Sequence, residues 1–204
     1  MTPECPDPAL VFRDFLPSAF HARVRAMAHG ANDTLVQSRV IGDAPSYRKS
    51  RIMARPESEA EAGCLNEFAR LIDAFLPTQL SLLDVPVFER TGLELQFTVS
   101  GDGDYFLPHI DNGGELAARQ VTFIYYLVNT PGCFTGGELR VFRFKEAGDM
   151  RRPTSLGAQT IMPEDNMLVM FPSHYLHRVM RVSVPSACFA DSRFTLNGWM
   201  LGRV

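Results

Sequence analysis

Apolar residues recur with two different periods along this chain, and the change comes near residue 93. Before it the spacing is helical. Phe20, Val24 and Met27 share one face of a segment that Ser18 can cap and Gly30 can stop. A longer helix is predicted after Pro56, where Ser58 and Glu61 have capping-box spacing. Leu65, Phe68, Ala69, Ile72, Phe75 and Leu76 then recur at helical intervals up to Pro77.

From Leu93 onward the period falls to two, and short apolar or alternating runs are separated by Gly, Pro, Asn and Asp. Eight strands are predicted: 93–99, 105–109, 120–128, 138–144, 158–162, 167–171, 176–184 and 193–201. Eight short strands at regular intervals suit a double-sheet jelly roll, with the two helices packed on the outside of one sheet. Gly136-Gly137 has the composition of a hairpin turn with positive φ, and 147–157 reads as an exposed loop. No linker or repeat interrupts the pattern. The expectation is one mainly β domain over 1–204, with 1–92 as a helical support region and 93–204 as the jelly-roll core.

Composition narrows the function. The 20 basic and 23 acidic residues are scattered, without the basic stripe that a nucleic-acid partner requires. No stretch approaches the roughly 18 apolar residues of a membrane span, and MTPECPDPALVF lacks the basic and apolar regions of a signal peptide. A cytoplasmic protein without nucleic-acid or membrane partners is expected. Cys5, Cys64, Cys133 and Cys188 form no C-x-x-C pair and are read as reduced packing thiols.

The chemistry starts at YFLPHIDNGG. On an extended strand, side chains two apart face the same way, so His109 and Asp111 can converge on one ion. Alone, an H-x-D pair is common by chance. FPSHYLHRV adds His174 and His177, and one imidazole from there completes two histidines and a carboxylate, the facial arrangement of non-haem Fe(II) oxygenases. Three open positions remain for a substrate and dioxygen. A 2-oxo acid cosubstrate would need a fixed cation for its distant carboxylate, and Arg193 is placed for it, with Thr195, Asn197 and Trp199 sharing its parity.

These runs together, from H109-I-D111 through Q-V-T-F-I-Y-Y126-L, G-G-E-L-R-V-F and L-H177-R-V to R193-F-T-L-N-G-W199, resemble the Fe(II)/2-oxoglutarate dioxygenases of the prolyl 4-hydroxylase-like branch. The resemblance covers about half the chain. It implies a double-stranded β-helix, with His109, Asp111 and His177 as iron ligands and Arg193 on the C5 carboxylate of 2-oxoglutarate. Tyr126 would meet the same carboxylate, Tyr125 would face the other way, and Asn197 and Trp199 would line the cosubstrate pocket. His177 is preferred to His174 because it stands in the family's Leu-His-x-Val setting. The implied reaction hydroxylates an unactivated C–H bond of a small-molecule or peptide substrate, a prolyl residue or free amino acid first among them. It consumes O2, releases succinate and CO2, and has ascorbate as a candidate reductant.

Two departures stand out. The stretch between His177 and Arg193 is longer than usual, leaving Arg178 or Arg181 as alternatives to Arg193. The strand before His109 lacks the tyrosine many relatives carry, leaving Gln96, Thr98 or Tyr105 to substitute. A zinc-dependent hydrolase would need a general-base Glu in an H-E-x-x-H-like pattern, which is absent. A non-catalytic cupin-like metal-binding protein is the other alternative.

Overall fold

The computed structural model describes residues 7–38, 47–142 and 158–203. Strand β1 (Leu10–Phe12) is followed by helix α1 (Ser18–Gly30), strands β2 (Leu35–Gln37), β3 (Arg48–Lys49) and β4 (Arg51–Met53), and helix α2 (Glu59–Phe75). Then come β5 (Glu89–Ser100), β6 (Tyr105–His109), β7 (Arg119–Leu127), β8 (Thr135–Gly136) and β9 (Leu139–Phe142). The chain closes with β10 (Ala158–Ile161), β11 (Met167–Pro172), β12 (His177–Val179), β13 (Val182–Ser183) and β14 (Arg193–Arg203).

The capping box of α2 forms as its sequence suggests: Ser58 Oγ accepts from the Glu61 N–H, and the Glu61 carboxylate accepts from the Ser58 N–H. Acidic residues in that first turn also suit the positive end of the helix dipole. α1 differs from expectation. Its N-cap is Pro17, which offers only a carbonyl, and Ser18 is already the first helical residue. Regular turns of α2 end at Phe75, and a tighter 3-10 run over Leu76–Leu82 carries Pro77 at its start, where a missing N–H costs nothing.

Among the described residues a seven-stranded sheet has the order β1-β11-β7-β14-β5-β4-β2, and a five-stranded sheet the order β10-β9-β12-β6-β3. Every neighbouring pair in both is antiparallel. The two sheets form the jelly roll. Alternation along β7 and β14 sends Phe123, Tyr125, Leu127, Phe194, Leu196 and Met200 to a large core shared with Phe20, Val24, Phe68 and Ile72 of the helices. Opposite side chains, including Ile124, Tyr126, Leu139, Val141, Val169 and Phe171, fill a smaller core on the inner side.

Several sequence expectations are corrected. Four strands precede residue 93, so the first 92 residues are not only helical: β1, β2 and β4 join the larger sheet and β3 the smaller. The run 176–184 breaks into β12 and β13, and β13 leaves the smaller sheet to pair with β8. Gly136 and Gly137 do have positive φ, +72° and +70°, but they sit at the end of β8 against Arg181 rather than in a hairpin turn. Residues 143 and 144 of the expected fourth strand, Cys5 and the loop 147–157 lie outside the described residues. Cys64, Cys133 and Cys188 are free thiols.

Candidate active site

β6 and β12 are neighbours in the smaller sheet, and their register sets His177 directly opposite His109. Asp111 follows β6 by two residues and is held by its backbone N–H, which donates to the Ser173 carbonyl at 2.9 Å. The three side chains therefore meet at the inner face. His109, Asp111 and His177 each present a ligand atom within 4.8 Å of the others. His109 Nε2 lies 3.7 Å from Asp111 Oδ1, and His177 Nε2 lies 3.4 Å from Asp111 Oδ2.

The orientation of the imidazoles is fixed from behind. His109 Nδ1 donates to the Leu107 carbonyl at 2.7 Å, and His177 Nδ1 to the Tyr175 carbonyl at 2.9 Å. A carbonyl only accepts, so each Nδ1 carries a proton and each Nε2 faces inward. Phe106 stacks on His109 with ring centres 3.5 Å apart, and Phe171 meets His177 edge-on. Burial first, then His177, push the His109 pKa down to about 3, so its imidazole is neutral at ordinary pH. Asp111 is pushed up by burial but pulled further down by His177, His109, Trp199 and Thr122, and stays ionised. The Thr122 hydroxyl donates to Asp111 Oδ2 at 2.8 Å. The Trp199 indole N–H is close enough to favour that charge yet falls outside hydrogen-bond geometry. Two imidazoles and one carboxylate on one side of an open space fit a divalent ion with vacant positions.

Across the pocket, Arg193 is 3% exposed at the start of β14. Its Nε donates to the Gly137 carbonyl at 3.0 Å and one terminal nitrogen to the Tyr126 hydroxyl at 3.4 Å. The second contact is long, and no carboxylate of the described residues pairs with this guanidinium. Gly137 is required here: a Cβ would lie 2.8 Å from Arg193 Cδ. Burial lowers the Arg193 pKa and raises that of Tyr126. Asn197 donates to Thr98 Oγ1 at 2.8 Å, and Trp199 lies under the Arg119 guanidinium, 3.6 Å from its ring centre. Thr195 Oγ1 and Trp199 Nε1, on the same strand face as Arg193, are buried with no hydrogen-bond partner among the described residues. A buried cation with spare donors, a phenol and an orphaned hydroxyl together fit a dicarboxylate cosubstrate.

His174 is not part of the histidine and carboxylate cluster; it packs edge-on against Tyr175 in the turn after β11. Arg178 pairs across strands with Arg140 and Arg181 binds the Gly103 carbonyl, and neither lines the pocket. Gln96, Thr98 and Tyr105 all line it. Sequence reasoning missed Arg48, which enters the same pocket from β3. A two-residue strand of charged side chains carries no periodic signal that could have found it. It also missed Thr122 and Ser173, neutral residues whose role appears only in the register of β7 with β11. Outside the pocket, His21 bridges the Tyr125 hydroxyl at 2.6 Å and Asp165 at 2.9 Å.

The profile of the 2OG-Fe(II) oxygenase superfamily matches residues 95–201, which contain every residue of the cluster and Arg193. An uncharacterized PKHD-type hydroxylase of Synechocystis sp. is 34% identical over 189 residues, 92% of this chain and 61% of its own length. The chain thus spans about three fifths of that relative. Among solved structures, a Pseudomonas putida prolyl-4-hydroxylase superimposes with a TM-score of 0.64 at 22% identity, covering 97% of this chain and 94% of its own. A Trichoplax adhaerens prolyl hydroxylase, in complex with a hypoxia inducible factor oxygen degradation domain peptide fragment, gives 0.73 at 17% identity, with 96% and 84% covered. At those identities the likeness concerns the fold. The profile, matching more than half the chain on the strands that build this pocket, shows that the protein belongs to the 2OG-Fe(II) oxygenase superfamily, whose members work with Fe(II) and 2-oxoglutarate.

Proposed function

We propose that the protein hydroxylates an unactivated C–H bond of a small-molecule or peptide substrate, using Fe(II), 2-oxoglutarate and O2 and releasing succinate and CO2. A prolyl residue or a free amino acid is the first class of substrate to try. The observation that carries this reading is the shared pocket: a one-sided cluster of two imidazoles and a carboxylate faces a buried arginine that has no acidic partner among the described residues. Residues 1–204 are read as one functional unit, because β1 to β4 are woven into both sheets.

In this reading His109, Asp111 and His177 hold the iron, and their Nδ1 and Thr122 contacts keep them aimed at it. When bound, iron and 2-oxoglutarate supply oxidative decarboxylation coupled to insertion of one oxygen atom into a C–H bond. Arg193 and Tyr126 grip the far carboxylate of 2-oxoglutarate and so fix its distance from the ligand cluster. Asn197 and Trp199 shape the wall between them, while Ile124 and Val179 present apolar surface that limits water. Three protein ligands leave the positions for cosubstrate and O2 open.

The test is reconstitution. Anaerobic Fe(II) plus 2-oxoglutarate should produce a weak visible charge-transfer band, and air plus a panel of prolyl peptides and free amino acids should release succinate and add one oxygen to a panel member. A zinc hydrolase or an idle cupin-like binder gives no such band, and its absence would overturn the proposal.

A further inference from the structure

Arg48 is a second guanidinium inside the pocket, and the chemistry above leaves it unused. Its Nε donates to Ser50 Oγ at 2.8 Å. One terminal nitrogen reaches Gln96 Oε1 at 3.3 Å and Thr98 Oγ1 at 3.4 Å, both long for an N–H···O bond. Thr98 Oγ1 is shared, since it also accepts from Asn197. The group lies over the Phe106 ring, 5.0 Å from its centre. All these contacts are neutral. Among the described residues no carboxylate comes within ion-pair distance of Arg48, whereas most other arginines of the N-terminal half have one, such as Arg13 with Glu164 and Arg90 with Asp73. Burial pushes the Arg48 pKa down to about 10, with Asp111 opposing the shift and Arg193 adding to it. The fork is therefore held in place without being neutralised.

In the loaded site the charges around the cluster cancel. With neutral imidazoles, a divalent ion and Arg193 are balanced by Asp111 and the two carboxylates of 2-oxoglutarate. Arg48, half-buried in the pocket wall, leaves one positive charge without a carboxylate partner among the described residues. The last component to enter is the substrate.

We propose that Arg48 is the substrate-recognition residue of this pocket and that the molecule hydroxylated carries a carboxylate that closes on its guanidinium. This rests on the oxygenase reading above. The interior of a neutral prolyl peptide supplies no such charge, so the inference excludes peptides that carry no carboxylate near the reacting residue. Gln96 and Thr98 then act as positioning residues, holding the fork flat so that its remaining donors face the pocket.

The test uses the full chain with Fe(II) and 2-oxoglutarate. The probes are the L-amino acids and their primary amides, together with prolyl tripeptides having free or amidated C-termini and with or without an Asp. Binding is read anaerobically as a perturbation of the visible band, and turnover as succinate release with a mass gain of one oxygen. In the wild type, an acid probe should perturb the band, and its amide should bind about 100-fold more weakly. In Arg48→Gln, that preference should shrink to about threefold while the 2-oxoglutarate titration midpoint stays put. Arg48→Lys, which keeps the charge and loses the fork, should retain part of the preference. A response among the free amino acids places the carboxylate on a small molecule; a response confined to peptides with an Asp or a free C-terminus keeps the same contact and places it on a peptide. Equal binding of acid and amide, no perturbation by any carboxylate probe, or a raised 2-oxoglutarate midpoint in Arg48→Gln would each overturn the inference. Absence of the band in the wild type removes the oxygenase reading and this inference with it, whereas a normal band without acid preference removes the inference alone.

Discussion

Replacing Thr122 with valine takes one hydroxyl from the site and leaves the shape of the side chain. That hydroxyl donates to Asp111 Oδ2 at 2.8 Å and lies 2.9 Å from Ser173 Oγ. Asp111 is 7% exposed, so water is poorly placed to replace the lost donor. A hydrogen bond to a charged partner contributes about 1.5–3 kcal/mol, and tenfold in affinity corresponds to about 1.4 kcal/mol. Metal affinity should therefore fall about 10- to 100-fold, the range usual for partners that orient a ligand. The chain has a single tryptophan, Trp199, and it lines the same pocket, so Mn(II) or Fe(II) titrations can be followed by its emission. A pH effect follows as well. The folded-state pKa of Asp111 is lowered, so the group adds stability above its unfolded value that is lost as pH falls through the folded one. Thr122→Val raises the folded value, so acid unfolding of the metal-free protein should begin at higher pH. An affinity within about threefold of wild type, together with an unmoved acid midpoint, would refute the claim that this hydroxyl holds the carboxylate.

Arg193→Met should raise the half-saturating 2-oxoglutarate concentration by about 100-fold with little change in metal affinity, because it removes a charge-assisted contact to the cosubstrate alone; an unchanged requirement in succinate-release assays would count against that role. Gly137→Ala should do the same more mildly, since its Cβ would displace Arg193, and it should also lower thermal stability because φ is +70° there. His177→Ala should abolish metal binding and turnover while His174→Ala keeps both; isothermal titration with Mn(II) distinguishes them, and the opposite result would transfer the ligand role. His21→Ala removes a partly buried hydrogen bond to Tyr125 and an exposed one to Asp165, and should cost about 1 kcal/mol, read as a lowered midpoint in urea unfolding.

The β half was legible because its strands are long or strongly alternating and its chemistry is local: His109 and Asp111 are two apart, and Arg193, Asn197 and Trp199 share the parity of one strand. What escaped notice has a common cause. β1 to β4 are two or three residues long and gain their stability from neighbours far away in sequence, as β1 does from β11. Arg48 enters the pocket on such a strand. The pairing of β13 with β8, which carries Gly136 close to the Arg181 carbonyl, likewise depends on tertiary register. The contact of His21 with Tyr125, 104 positions away, likewise leaves no trace in helical periodicity.

β7 shows why the helices matter to a site they never touch. Thr122 and Ile124 line the pocket and Tyr126 shares their face in the inner core, while Phe123, Tyr125 and Leu127 face α1 and α2. The Tyr125 hydroxyl meets His21 of α1 and donates to Asn166 Oδ1 at 2.9 Å. Asn166 in turn donates its backbone N–H to the Tyr126 carbonyl at 3.1 Å and holds the Leu16 backbone through its side-chain amide. The residue that anchors the helical layer is thus one peptide unit from the phenol that meets Arg193. A strand that bends by even a fraction of an ångström moves both faces together, because alternate side chains share one backbone. Loosening the outer layer should accordingly appear first in 2-oxoglutarate binding, through Tyr126 and Arg193. Metal binding should change less, since its histidines stand on β6 and β12 in the other sheet and only Asp111 is tied to β7, through Thr122.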